Sequence, residues 1–203
     1  MATVSPNRQE LLKQSARKKI VSRGHKLLKS KRDSLIKMFL ELIQDVIERR
    51  KRLDQKMLEI DHLAAAAFLN MSPDYEKLLV ETVPQTGVVS HTHEKVMGVK
   101  LPRITYTKKD TTIEYSLVET SSYFDEALKQ FFVLIPDIMD LLQRETELKK
   151  IAEEIVTTRR RVNSLEKKVI PQVEDNIKYI KLRLQELQLE STSQLLMVKK
   201  GQQ

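Results

Sequence analysis

The side chains able to do chemistry in this chain are few and widely spaced. His91 and His93, in Ser90-His-Thr-His93, stand two apart, which puts both imidazoles on one face of an extended segment. Such a pair could begin a metal site. A site needs three or four ligands, however, and no third donor lies nearby, so two solvated loop histidines are expected. His25 and His62 fall in helical sequence and read as solvated polar positions. Asp137 and Asp140 lie one turn apart, as do Glu147 and Lys150, a spacing that describes a wet helix face. Gly24, Gly87, Gly98 and Gly201 never approach the spacing of a phosphate-cradling loop. Cysteine is absent, which removes thiol nucleophiles, thiolate ligands and disulfides, and fits a reducing compartment. Arg159-Arg160-Arg161 could bind an anion, though a basic triplet on a charged helix is a weak signal. Asn163 reads equally as a register-setting seam residue and as a surface residue. These residues predict no active site, no metal and no cofactor.

Charge is more informative than any single group. The 203 residues carry a net charge of +8, with 32% charged and 5% aromatic side chains. Met1–Lys37 holds eleven Lys or Arg against only Glu10 and Asp33, and the remainder is close to neutral. Such a segment binds nucleic acid or packs against an acidic protein surface. No aromatic precedes Phe39, so the basic run has no ring on which a single-stranded base could stack. No apolar run approaches the ~20 residues of a membrane span, and no signal-like apolar core follows the N-terminus. A soluble chain, or one held at a membrane by something else, is expected.

The elements behind these residues are long helices. From Leu134 to Leu187 one column of sevens holds Leu134, Leu141, Leu148, Ile155, Val162 and Val169. A second holds Ile138, Ala152, Val173, Ile180 and Leu187, interrupted by Glu145, Arg159 and Glu166. Apolar residues returning at alternating three and four form the seam of a coiled coil, which requires a partner. Ser5-Pro6 predicts a helix start, and no proline follows until Pro73. That helix would reach about Asn70, on the order of 90 Å at 1.5 Å per residue. Its seam pairs Ile36, Ile43, Met57 and Ala64 with Phe39, Val46, Leu53, Ile60 and Ala67.

Between the helices, Asn70–Asp74 has turn chemistry and Tyr75–Thr82 reads as a short helix. Ile104–Thr107 and Thr111–Tyr115, flanking Lys108-Lys109-Asp110, predict a short β-hairpin. Helix resumes near Ser121–Tyr123 and runs to about Lys200, with Pro136 near its beginning and a bend expected at Pro171. The predicted fold is mainly α: a long antiparallel two-helix coiled-coil hairpin with a small middle insertion containing a short β-hairpin. Its parts are residues 1–70, the N-terminal long helix; 71–120, the insertion; and 121–203, the C-terminal long helix. A turn centred near residue 100 would set Glu166 opposite Lys31 and Arg32.

Three segments in order resemble a known family. Arg23-Gly-His-Lys-Leu-Leu-Lys-Ser-Lys-Arg-Asp33 is similar to a Gly-x-x-Leu-Leu-Lys-x-Lys-Arg-Asp pattern. Met97-Gly-Val-Lys-Leu-Pro102 resembles Met-Gly-Val-x-x-Pro. Arg160-Arg-Val-Asn-Ser-Leu-Glu166 resembles Arg-Arg-Val-Asn-Ala-Leu-Glu, with Ser164 in place of Ala. Pro171 and Ile177-Lys-Tyr-Ile180 follow at the family's spacing. The family is that of the D subunits of V-type ATPases and their A-type relatives, the central rotor shafts.

The resemblance implies a non-catalytic subunit whose termini form a shaft inside a hexamer of A and B subunits. The middle region would meet the F subunit and the C subunit, whose eukaryotic counterpart is called d, above the proteolipid ring. The chain would then lie peripherally on the cytoplasmic side of the membrane, without insertion into it and without nucleic acid. Rotation would couple ATP hydrolysis or synthesis to proton or sodium transport. Lys29, Lys31, Arg32, Asp33, Arg160, Arg161, Asn163 and Glu166 become candidates for charged contact or for bracing of the shaft. Met97, Gly98, Val99 and Pro102 mark the middle motif, and Pro171 the bend. The competing readings are a basic coiled-coil nucleic-acid-binding protein and a plain scaffold. The F-type shaft carries an α/β domain, for which the insertion is too short.

Overall fold

A computed structural model describes residues 5–69, 71, 75, 87–109 and 121–201, with side chains as far as Met197. Helix α1 spans Arg8–Phe68, strands β1 and β2 span Gly87–Val96 and Val99–Lys108, and helix α2 spans Ser122–Ser164. A π turn, Leu165–Val169, joins α2 without a break to α3, Ile170–Gly201. The chain divides into a terminal unit, Met1–Ser34 with Ile155–Gln203, and a central unit, Leu35–Glu154.

α1 starts two residues later than Ser5-Pro6 suggests. The Glu10 N–H donates to Asn7 Oδ1 at 2.6 Å, so Asn7 caps the helix, and Glu10 sits at the third helical position. The far end, Phe68, is close to the expected one. The Asn70–Asp74 turn, Tyr75–Thr82 and Thr111–Tyr115 lie largely outside the described residues.

In the central unit α1 and α2 run antiparallel. Ile60, Ala127 and Leu134 form a buried cluster backed by Met57, Leu63 and Ile138, and Val46 and Leu141 are also buried. Phe68 meets Phe124 edge-on, with ring centroids 6.5 Å apart. The column from Phe39 through Val46, Leu53, Ile60 and Ala67 faces inward as the heptads require. Ile36 does not: Leu35 is fully buried in its stead and Ile36 is 37% exposed.

The terminal unit has a thinner core, made of Thr158, Val162, Val173, Ile180 and Gln14. Thr158 is fully buried beside the exposed Arg159 that interrupts the heptad column. Leu187 leaves the seam because α3 outruns the start of α1. Beyond it Leu189, Leu195, Leu196 and Met197 are also exposed.

The β-hairpin lies earlier than the turn residues Lys108-Lys109-Asp110 suggest. β1 and β2 pair antiparallel from Gly87–Lys108 to Val96–Val99, so Ile104–Thr107 belongs to the second strand and the turn is Met97-Gly98. Both turn residues have positive φ, 51° and 82°, the signature of a two-residue turn whose twist matches its strands. Gly98 adopts this freely; Met97 does so under strain. The signal is hard to see in the sequence because asparagine or glycine, not methionine, normally announces such a turn.

Candidate functional site

Ion pairs between the helices set the level of each charged residue. In the terminal unit Lys18 Nζ lies 2.9 Å from Glu174 and His25 Nε2 lies 3.8 Å from Glu166. Facing residues are thus centred in the mid-nineties of the numbering, not at residue 100. That shift overturns the expected pairing of Glu166 with Lys31 and Arg32, since Glu166 meets His25 instead. It also corrects His25, whose side chain is only 19% exposed and faces the opposite helix.

The same register carries Lys31 and Arg32 to the level of Arg159–Arg161. Lys29, Arg160, Arg161 and Asn163 are exposed, and Lys31 and Arg32 half-buried. The Arg32 guanidinium donates from Nε and Nη2 to Asp33 Oδ1, at 2.9 and 2.7 Å, so Asp33 orients its neighbour. Arg160 and Arg161 have no ion-pair partner among the described residues. Two basic clusters at one level repel each other weakly in water and gain by meeting an acidic surface. Asn163 resolves to a surface position. Pro171 does not break the helix: the turn before it widens, with the Ile170 N–H reaching the Leu165 carbonyl. This eases the crowding a proline ring imposes on the preceding turn.

In the central unit the charges are paired instead. Arg49 bridges Asp45 on its own helix and Asp140 on α2, and Arg144 Nε lies 3.4 Å from Asp45. Lys56 reaches Asp137 and Arg50 reaches Glu145, each at 2.8 Å. The hydrogen bond to Asp45, with the charges of Asp140 and Asp137, raises the Arg49 pKa above its ordinary value. By sequence alone Asp137 and Asp140 read as a solvated face. Their partners are 81 and 91 residues away, and only the register reveals them.

The middle motif is the hairpin tip. Val99 and Leu101 are buried, Pro102 is half-buried and Met97 is 43% exposed. Along the outer edge of β2 the Ile104 N–H donates to Gln143 Oε1 at 3.1 Å, and Gln143 Nε2 donates to Glu147 at 2.8 Å. Pro102 lies two residues before Ile104, so its missing N–H falls on this outer edge and costs the ladder nothing. His91 and His93 stand exposed on one face of β1, a strand and not a loop, with ring centroids 5.7 Å apart. Among the described residues no three His, Cys, Asp or Glu converge as metal ligands.

Comparison with known proteins shows the family of the chain. A family model for the ATP synthase D subunit matches residues 10–200. The chain is 36% identical to an A-type ATP synthase D subunit of Methanopyrus kandleri, over 97% of this chain and 85% of the relative. It is 34% identical to that of Methanococcoides burtonii, over 98% of each. It is 32% identical to a V-type ATP synthase D subunit of Clostridium botulinum, over 97% of this chain and 93% of the relative. This chain belongs to the ATP synthase D-subunit family.

Proposed function

We propose that the protein is the central-stalk rotor subunit of a V/A-type rotary ATPase or ATP synthase, a shaft without an active site of its own. It would couple ATP hydrolysis or synthesis in a hexamer of A and B subunits to proton or sodium transport by the membrane sector. The observation that carries this reading is the charge of the terminal unit. Twenty Lys or Arg stand there against seven Asp or Glu, while the central unit has sixteen against twenty-one. A helix pair that basic suits an acidic sleeve, with contacts that guide and yet are screened by salt.

Lys29, Lys31, Arg32, Arg160 and Arg161 are the contact residues in this reading, and Asp33, which orients Arg32, is the bracing one. The exposed leucines of α3 beyond the start of α1 would enter the same sleeve. The central unit, with its hairpin, would meet the F subunit and the C (d) subunit on the cytoplasmic side of the membrane. No described helix is long and apolar enough to cross a membrane.

The test is size-exclusion chromatography of the chain with a purified A and B hexamer, followed by ATP turnover. The expected result is one chain per hexamer with altered turnover, weakened by Arg160→Glu combined with Lys31→Glu. No association at moderate salt, together with steeply salt-dependent DNA or RNA binding, would overturn the rotor reading in favour of a nucleic-acid-binding coiled coil.

A further inference from the structure

The terminal unit has one level at which both helices are weak. Residues 15–34 of α1 include no buried side chain, and neither do residues 163–172 on the other helix. Gly24 lies in the middle of the first stretch. A Cβ built there meets nothing within 4 Å, so packing inside the chain does not explain a residue that weakens a helix interior. Opposite it lies the π turn Leu165–Val169, followed by Pro171, which has no N–H to return to the helix ladder. The contact across this level is also poor. His25 Nε2 is buried without a hydrogen-bond partner, and 3.8 Å to Glu166 is too long to replace one. Firmer ties lie on either side, the Lys18–Glu174 bridge at 2.9 Å and the fully buried Thr158 and Val162.

We propose that this level is a bending joint of the helix pair, with Gly24 softening α1 and the π turn with Pro171 softening the opposite helix. Each feature alone is a tolerated irregularity. Placed face to face, with no buried side chain between them, they let both helices flex at the same height while the flanking contacts hold their register. A helix pair bends only where both members yield, so the coincidence in level is what makes a joint.

The absence of cysteine makes the test clean. Lys13→Cys with Ser34→Cys places two spin labels ~31 Å apart across the joint along an ideal helix. Glu41→Cys with His62→Cys spans the same number of residues of α1 in the central unit. The distance distribution across the joint is expected to be about twofold broader than the control, and to narrow on Gly24→Ala or Pro171→Ala. Equal widths, or a width that neither substitution changes, would overturn the proposal. What the joint serves rests on the shaft reading, as a point where a rotor stores or releases bend. A chain that bends but binds no hexamer sinks that reading and leaves the joint, and a chain that binds with equal widths does the reverse.

Discussion

The two units of this protein use the same antiparallel helix pair and hold it together in opposite ways. Among its described residues the central unit buries eleven apolar side chains, from Leu35 to Ile151, and it pairs charges across the interface. The terminal unit buries Val162, Val173 and Ile180 with two polar residues, Gln14 and Thr158, and leaves most of its positive charge uncompensated. The difference teaches what each is built to do. On the shaft reading proposed above, the pair that satisfies itself is a stable body, and the one with a thin core and unmet charge is completed by a partner. Helical periodicity alone does not distinguish them, because both carry the same seam.

The largest effect that could break this contrast is a core truncation. Leu134→Ala should cost about 3 kcal/mol, because Leu134 is 2% exposed inside the Ile60–Ala127 cluster and cannot collapse without loss. Val162→Ala removes two methyl groups from a sparser site and should cost about 1.5 kcal/mol. Urea midpoints of the two variants decide it. Equal losses would mean that the terminal unit is as well packed as the central one.

Next is Gln143→Ala. It removes the acceptor of the Ile104 N–H and the tie between β2 and α2, and should cost about 1 kcal/mol. Hydrogen exchange is the direct readout, since the Ile104 amide should lose its protection while the Phe68–Phe124 end of the helix pair keeps its own. An unchanged Ile104 rate would show that burial of Val99 and Leu101 docks the hairpin without this bond.

Much of this is legible in the sequence, and the parts that are not share a cause. The Phe39-to-Ala67 column, the helix ends near Phe68 and Ser122 and the prominence of Met97-Gly98 follow from local pattern and motif. Hidden from sequence are the His25–Glu166 level, the Arg49 network and the hairpin turn. The first two depend on register between helices more than eighty residues apart, where a few residues of error exchanges every partner. The third depends on a methionine adopting a conformation it disfavours. The capping role of Asn7 is available, since Asn7-x-x-Glu10 is a helix-start pattern, but Ser5-Pro6 supplies a competing one.

Salt should separate the units further. Asp140→Asn removes a partner of both Arg49 and Arg144 and should cost about 1 kcal/mol at low ionic strength, with the loss fading toward ~1 M salt. The terminal unit should respond with the opposite sign, becoming better protected as salt screens its like charges. Region-resolved hydrogen exchange at two salt concentrations reads both. The Arg49 pKa is raised on folding, so its share of stability is complete below the ordinary arginine value and is lost only as pH rises through the higher folded one. Arg49 titration therefore gives no stability change in the neutral range, and salt is the lever.

The smallest effect expected is a gain. Met97 holds φ at 51° in a turn where asparagine is at ease, and its side chain is 43% exposed, so little packing repays the strain. Met97→Asn should therefore stabilise the hairpin by about 0.5–1 kcal/mol, seen as slower exchange of the amides flanking the tip. If methionine is kept there for a contact, the same substitution should weaken association with whatever the hairpin tip meets while the isolated chain becomes more stable. A gain in stability with association unchanged would make Met97 a mere irregularity. A loss of stability would show that its side chain is held by Val99 and Leu101, and would join the tip to the self-sufficient packing of the central unit.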